Sequence, residues 1–191
     1  MDQVLKNKVA IITGGSSGMG RAGVELFSAA GCQSIIADIN EAEGKKIQND
    51  LINNNLKAEF IYTDVTNPAN VQSTAKTVVE KYGKIDVLFH NAVDVPLVNN
   101  HDSRVTELPD EIWHKITSLV LDGAFYCSKY IGKEMLKQKS GSIILTATTD
   151  ALVGQAGLDA YTAAKGGIVS MTRSMAAGLS PVGIRVNAIC P

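Results

Sequence analysis

Short apolar runs alternate with longer amphipathic segments along the chain. The runs are nearly continuous in Val, Ile, Leu and Ala, as is typical of parallel strands buried on both faces. The strands predicted in this way cover residues 8–13, 34–38, 58–62, 85–89, 141–145 and 184–189. Regular alternation of strand and helix predicts an α/β fold, with a parallel sheet between two layers of helices.

The segments between the runs repeat their apolar positions near a 3.6-residue period, which predicts helices. These helices cover residues 21–30, 41–55, 70–82 and 109–135, and a further helix carries Tyr161. Gly83 fits the position that follows a helix, where glycine is favoured. Residues 95–109 have no clear period, so we expect a polar loop there.

A glycine-rich turn joins the first strand to the first helix. It reads Thr13-Gly14-Gly15-Ser16-Ser17-Gly18-Met19-Gly20. Glycines allow a sharp turn with no Cβ between the backbone and a ligand, and the free N–H groups at a helix start favour a phosphate. A tight turn without a ligand fits the same glycines equally well. A P-loop is excluded, because Arg21 and Ala22 stand where that motif requires Lys and Ser or Thr.

The composition is that of an ordinary globular protein. With 191 residues, 45% hydrophobic and 19% charged, the chain suits one domain with a sizeable core. A net charge of −1 gives no electrostatic signature for nucleic acid or an anionic membrane. The scattered Cys32, Cys127 and Cys190 predict neither a disulfide framework nor a metal site, and they favour a cytoplasmic location. No apolar run approaches the length of a membrane span.

Asp38 closes the second predicted strand, 18 positions after Gly20. An acid near this offset meets the hydroxyls of an adenosine ribose in dinucleotide-binding folds. Its neighbours Ala37, Ile39 and Asn40 carry no positive charge for a 2′-phosphate, so the pattern favours NAD over NADP. A solvated acid at a strand end is the structural alternative.

Tyr161 and Lys165 lie one turn apart on the same face of a predicted helix. A free phenol has a pKa of about 10, and one positive charge about 4 Å away supplies roughly 4 kcal/mol in favour of the phenolate. That is enough to bring the pKa of the phenol to about 7. An interfacial Tyr beside a solvated Lys is the structural alternative.

Together, these motifs resemble the short-chain dehydrogenase/reductase family. The turn matches T-G-x-x-x-G-x-G, and the chain adds Asp64-Val65, Asn91-Ala92 and Y-x-x-x-K in the family's order, so that the resemblance covers the whole chain. It implies a doubly wound Rossmann fold with six strands in the order 3-2-1-4-5-6. The cofactor-binding residues that it implies are Gly14, Ser16, Ser17, Gly18, Met19, Gly20, Asp38, Ile39, Asp64, Val65, Asn91, Ala92, Tyr161, Lys165 and Pro191.

The resemblance also implies catalytic roles. Tyr161 would be the acid/base, and Lys165 would lower the pKa of its phenol and hold the nicotinamide ribose. Thr148 lies 13 positions before Tyr161, where the family has a serine, and it would hydrogen-bond the substrate oxygen. A purely structural threonine is the alternative for Thr148.

Several positions depart from the family pattern near the expected site. Val93 replaces a glycine close to the cofactor, and Val120 replaces a functional asparagine. His90 also departs from the pattern, and we interpret it as a packed or hydrogen-bonded residue rather than a metal ligand. Family members continue beyond the position of Pro191 with a substrate loop and a seventh strand, which this sequence does not contain.

These patterns predict an NAD(H)-dependent oxidoreductase that interconverts a small secondary alcohol and a ketone. The resemblance implies a homodimer or homotetramer, because in the family the Tyr161 helix and the long helix before it form subunit contacts. The small residues of the Tyr161 helix would let another helix approach. Two alternatives stay open: a catalytically impaired nucleotide-binding module or sensor, and a structural oligomer without a nucleotide.

Overall fold

The computed structural model describes residues 3–191, which contain one six-stranded parallel sheet. Its strands are β1 (Val9–Thr13), β2 (Gln33–Asp38), β3 (Ala58–Tyr62), β4 (Val87–His90), β5 (Gly141–Thr146) and β6 (Ile184–Ile189). They lie in the order β3-β2-β1-β4-β5-β6, and every neighbouring pair is parallel. The predicted fold class and strand order are confirmed.

Helices connect the strands and cover both faces of the sheet. They are α1 (Gly18–Ala29), α2 (Glu41–Asn53), α3 (Pro68–Tyr82), α4 (Val95–His101), α5 (Asp110–Thr117), α6 (Gly123–Gln138), α7 (Asp150–Val153) and α8 (Asp159–Leu179). Gly83 follows α3 in the left-handed conformation, as predicted for a residue at that position. None of the helices formed by residues 3–191 combines the length and apolar character needed to cross a bilayer.

Two predictions about the middle of the chain were wrong. The region 95–109 is not entirely a loop, because Asp94 caps α4 by accepting a hydrogen bond from the Leu97 N–H at 2.9 Å. The helix predicted over 109–135 is interrupted by a π-helical segment, Ser118–Asp122, between α5 and α6. A π-helical turn inserts a residue without changing the apolar periodicity on either side, so the sequence pattern does not reveal it.

Alternate side chains of β1, β2 and β4 pack into two separate cores. Ile11, Ile35 and Leu88 pack into the larger core, together with α3, α5, α6 and α8. Ile12 and Ile36 point to the other face and pack with α1 and α2. The small residues of α8 also serve this packing: Ala160 and Ala164 are buried in the larger core, and a side chain at Gly167 would collide with Leu121.

Asp86 joins the ends of β1 and β4 at the amino edge of the sheet. Its carboxylate accepts a hydrogen bond from the Val9 N–H at 2.9 Å and lies 3.0 Å from the ammonium groups of both Lys8 and Lys84. Burial alone would raise the pKa of this carboxyl, but the three donors outweigh burial and lower it. Asp86 therefore stabilises the fold at the edge opposite to the glycine turn.

We predict that Asp86→Ala lowers the free energy of unfolding by about 2 kcal/mol, because the Val9 N–H and two ammonium groups lose their acceptor. Because the folded state lowers the pKa of Asp86, its contribution is complete above the unfolded pKa of about 4 and disappears as the pH falls through the folded value. Urea unfolding at about pH 7 and about pH 3 measures both effects. Exposed Asp50 is the control, since Asp50→Ala should change stability by less than about 0.5 kcal/mol. An equal loss for the two variants would contradict this role.

Candidate active site

The residues predicted to bind a cofactor gather at the carboxyl ends of the central strands. Parallel pairing places Thr13 opposite both Ala37 and His90, and His90 opposite Leu145. The segments that follow β1, β2, β4 and β5 therefore leave the sheet side by side. This edge is where ligands bind in open α/β sheets.

The glycine turn packs against the segment that follows β4. Gly14 has a φ of +64°, and a side chain there would come within 2.9 Å of the Ala92 Cα. A side chain at Gly20 would collide with the Gly14 carbonyl oxygen and approach the Asn91 side chain. Glycine is required at both positions because backbone meets backbone there.

The start of α1 fits an anionic group. Ser17 precedes α1 but makes no side-chain cap, and the first turn carries no acidic residue. Gly18 has open space beyond its Cα, Ser17 and Met19 are exposed, and Ser16 is buried beneath them. Uncapped N–H groups at a helix start, next to open space, suit the pyrophosphate of a dinucleotide.

Asp38 stands beside this turn, Asp64 follows the edge strand β3, and both residues are partly exposed. Asp38 accepts hydrogen bonds from the N–H groups of Ser16 and Asn40, both at 3.0 Å, so that its carboxylate is held against the turn. Asp64 accepts from the backbone and hydroxyl of Thr66. Of their neighbours, Ile39 is exposed, and Val65 is buried and packs against Gly123.

The Thr13 hydroxyl connects β1 to the segment after β4. It accepts hydrogen bonds from the N–H groups of Asn91 and Ala92, at 3.0 and 3.3 Å, and lies 2.9 Å from the His90 Nδ1. With both acceptor positions used, the hydroxyl donates its proton to His90, which leaves the ring proton on Nε2. Burial and the charge of Lys165 lower the pKa of His90 to about 3, so the ring is neutral. His90 is thus a packed, hydrogen-bonded residue, as expected.

Lys165 is buried below the Tyr161 ring. Its ammonium donates to the Thr146 carbonyl oxygen at 2.5 Å and lies 5.5 Å from the centroid of the Tyr161 ring. The Thr146 hydroxyl donates in turn to the Asn91 side chain at 3.1 Å. Burial lowers the pKa of Lys165 to about 8. These bonds hold the Lys165 side chain of α8 against the carboxyl ends of β4 and β5.

The phenol of Tyr161 is less acidic than the sequence predicted. Burial and the negative charge of Asp150 raise its pKa above 10, whereas interaction with the Thr148 hydroxyl lowers it. Lys165 does not compensate, because its ammonium lies under the ring and bonds to a carbonyl. The sequence analysis expected Lys165 to lower the pKa of this phenol, and in these side chains alone that pKa is raised instead.

Thr148 is buried close to Tyr161, at the end of the segment that follows β5. Its hydroxyl donates to the Asp150 carboxylate at 3.3 Å. Exposed Pro191 lies beside this segment, since its carbonyl oxygen accepts hydrogen bonds from the backbone and hydroxyl of Thr149.

Val93 and Val120, which depart from the family pattern, are both packed among apolar residues. Val93 is half-buried and packs against the larger core, and Val120 is fully buried inside the π-helical segment. Neither side chain offers a polar group to the site. Among residues 3–191, no group of three or more His, Cys, Asp or Glu side chains is arranged to hold a metal ion.

Asp102 is a residue that the sequence analysis missed. Its carboxylate accepts hydrogen bonds from the N–H groups of Ala160 and Tyr161, at 3.2 and 2.9 Å, in the first turn of α8. In the other direction, the Asp159 carboxylate of α8 accepts a hydrogen bond from the Val105 N–H at 2.7 Å. The loop after α4 is therefore locked to the helix that carries Tyr161. No local pattern could reveal this cap, because Asp102 lies far from α8 in the sequence.

Comparisons with known proteins agree with this geometry. A sequence model described as short chain dehydrogenase matches residues 8–191. An uncharacterized oxidoreductase of Thermotoga maritima is 36% identical over 188 residues, which are 98% of this chain and 72% of that protein. The meso-2,3-butanediol dehydrogenase of Serratia marcescens is 36% identical over 185 residues, which are 97% of this chain and 70% of that protein.

A solved structure extends the likeness to three dimensions. The crystal structure of an NAD+-bound xylitol dehydrogenase superimposes with a TM-score of 0.91 at 29% identity. The match covers 98% of this chain and 70% of the other. The chain thus spans about 70% of the length of these relatives.

We predict that Asp102→Ala lowers the free energy of unfolding by about 1–2 kcal/mol, because the first turn of α8 loses the acceptor of two N–H groups. Asp102→Asn should retain part of this stability, since its carbonyl oxygen still accepts one bond. Urea unfolding followed by circular dichroism measures both changes. Asp94→Ala is the matched control, because it removes the same type of capping carboxylate from the short helix α4. Wild-type stability in Asp102→Ala would show that the cap contributes nothing.

Proposed function

The chain belongs to the short-chain dehydrogenase family, and on that premise we propose that it is an NAD(H)-dependent oxidoreductase that interconverts a secondary alcohol and a ketone. The observation that carries the proposal is the convergence of Thr148, Tyr161 and Lys165 with the glycine turn at one edge of the sheet. A single dinucleotide placed along that edge would reach both the glycine turn and these three side chains. Two relatives are named as dehydrogenases of a diol and of xylitol, which are polyhydroxy alcohols.

NAD is preferred to NADP in this proposal because of the charges beside the turn. The Asp38 carboxylate would accept hydrogen bonds from ribose hydroxyls but would repel a 2′-phosphate. Arg21 follows the turn, yet its guanidinium is bound to Glu25 at 2.8 Å and to Glu43 at 3.2 Å. Among the described residues, the positive charge that follows the turn is therefore already paired with two carboxylates.

In the proposed mechanism, Tyr161 and its neighbours move the proton. A bound nicotinamide would supply the acceptor for the hydride of the alcohol carbon. The phenolate form of Tyr161 would take the hydroxyl proton of the substrate, and Thr148 would hydrogen-bond the same substrate oxygen. Lys165 is mostly protonated at neutral pH, and one of its N–H groups is held by Thr146. Its remaining donors suit the ribose hydroxyls of the nicotinamide half.

A positive nicotinamide would also act on the phenol. In these side chains alone, burial and Asp150 oppose the phenolate, so Tyr161 is mostly protonated at neutral pH. A nearby positive charge favours the phenolate and lowers its pKa. We therefore infer that Tyr161 gains its basicity together with the oxidised cofactor.

A catalytically impaired nucleotide-binding module is the second candidate. Two observations favour it: the apolar Val120 in the π-helical segment, and the raised pKa of the Tyr161 phenol. This alternative predicts that the protein binds NAD but oxidises no alcohol. The oxidoreductase proposal predicts both binding and turnover.

We also propose a homodimer or homotetramer in the cytoplasm, with residues 1–191 forming one nucleotide-binding domain. Phe125 and Leu136 of α6 are both more than 40% exposed, which would favour contact with a second copy. Cys32, Cys127 and Cys190 are free thiols, and free thiols suit a reducing compartment.

We predict that Tyr161→Phe in the full-length protein lowers kcat by about 10²-fold or more, because the variant loses the group that takes the proton. The affinity for NAD should stay nearly unchanged. Reduced nicotinamide absorbance with a panel of secondary alcohols measures turnover, and calorimetry measures binding. Tyr130→Phe on α6 is the matched control and should retain activity. Wild-type turnover in Tyr161→Phe would remove this residue from the mechanism.

We further predict that Asp38→Asn shifts the ratio of NADP to NAD affinity by about tenfold or more, because like charges placed side by side cost several kcal/mol. Asparagine keeps a carbonyl that can accept the Ser16 N–H, so the turn should stay intact. Calorimetric titration with each dinucleotide gives the two dissociation constants. Asp50→Asn removes the same charge elsewhere and should leave the ratio unchanged. If Asp38→Asn still prefers NAD to NADP as strongly as the wild type, another group recognises the ribose.

A further inference from the structure

The Asp150 carboxylate has few partners among the residues that the structure describes. It begins α7, it is half-buried, and none of the ion pairs formed within residues 3–191 includes it. The other carboxylates around the site, Asp38, Asp64 and Asp102, each accept backbone N–H groups. Asp150 accepts only the Thr148 hydroxyl, at 3.3 Å. Most of its hydrogen-bonding capacity is therefore unused.

The position of this carboxylate relates it to the reacting atoms. Asp150 accepts a hydrogen bond from the Thr148 hydroxyl, and its charge adds to burial in raising the pKa of the Tyr161 phenol. In the proposed function, Thr148 and Tyr161 both contact the oxygen of the reacting carbon. Groups on the neighbouring carbon of the substrate would consequently lie within reach of Asp150.

We propose that Asp150 determines substrate specificity by accepting a hydrogen bond from a second hydroxyl of a neutral vicinal diol and by repelling substrates that carry a carboxylate. This inference rests on the proposed function and names its substrate class. A carboxylate only accepts hydrogen bonds, so a hydroxyl or an ammonium on the neighbouring carbon is matched. A second carboxylate in the same place has the same charge and no proton to donate.

Lys165 does not cancel this preference. Its ammonium is buried beneath the Tyr161 ring and is bonded to the Thr146 carbonyl oxygen. The positive charge therefore acts from below the phenol, whereas Asp150 acts from the segment after β5. An anionic substituent that faces Asp150 would meet the carboxylate directly.

The test uses four secondary alcohols with four carbons each, supplied with NAD to the full-length protein. They are 2,3-butanediol, 3-amino-2-butanol, 2-butanol and 3-hydroxybutyrate, which differ in the charge and hydrogen bonding of one substituent. We expect kcat/KM for 2,3-butanediol to exceed that for 2-butanol by about tenfold or more, since a hydrogen bond to a charged group is worth at least that factor. The aminobutanol should also exceed 2-butanol, and 3-hydroxybutyrate should be the poorest substrate.

Asp150→Asn isolates the charge, because asparagine has nearly the same size and keeps one acceptor. We expect this variant to raise kcat/KM for 3-hydroxybutyrate relative to 2,3-butanediol by about tenfold. Asp50→Asn removes one exposed charge on α2 and should leave the ratio at the wild-type value. Equal use of 3-hydroxybutyrate and 2,3-butanediol by the wild type, or an unchanged ratio in Asp150→Asn, would overturn the inference while leaving the proposed function intact. Binding of NAD without oxidation of any of the four alcohols would instead overturn the proposed function, and this inference with it.

Discussion

Parallel pairing of β1 between β2 and β4 is the constraint on which the candidate site depends. It brings the ends of three strands to one level, so that residues distant in the sequence leave the sheet next to one another. Two contacts then hold these ends together. The Thr13 hydroxyl accepts the N–H groups that follow β4, and the Asp38 carboxylate accepts the Ser16 N–H of the glycine turn. The turn is thus shaped by its neighbours as much as by its own glycines.

Around this edge, backbone N–H groups satisfy most of the negative charges. Asp38 and Asp64 bind turns, and Asp102 caps the helix that carries Tyr161. Such bonds are charge-assisted and directional, so they position the elements and also stabilise them. Asp150 differs because its carboxylate accepts a hydrogen bond from the Thr148 hydroxyl and from no backbone N–H among the described residues. The same residue type therefore holds backbone N–H groups at three positions, whereas at Asp150 it holds none.

The pKa of the Tyr161 phenol shows why distance in sequence is a poor guide to electrostatics. The spacing of Tyr161 and Lys165 correctly places both on one face of α8, with the ammonium 5.5 Å from the ring centroid. The pKa of the phenol nevertheless rises, because burial and Asp150 act on it while Lys165 donates to the Thr146 carbonyl. Desolvation and hydrogen-bond partners are properties of the packed structure, and the helical spacing contains neither.

Local periodicity was enough to predict the six strands, because apolar runs act over a few residues. The order of the strands, and the gathering of Gly14, Asp38, Asn91 and Tyr161 at one edge, were predicted through the family resemblance. The cap that Asp94 forms on α4 and the bond between Thr148 and Asp150 are local contacts that the sequence analysis missed. The π-helical segment and the contact of Asp102 with α8 were decided only by the tertiary structure. The contact of Asp102 depends on where a polar group finds its hydrogen-bond partner. For Asp102 that partner lies in α8, so the choice between solvent and protein is made only once the chain has folded.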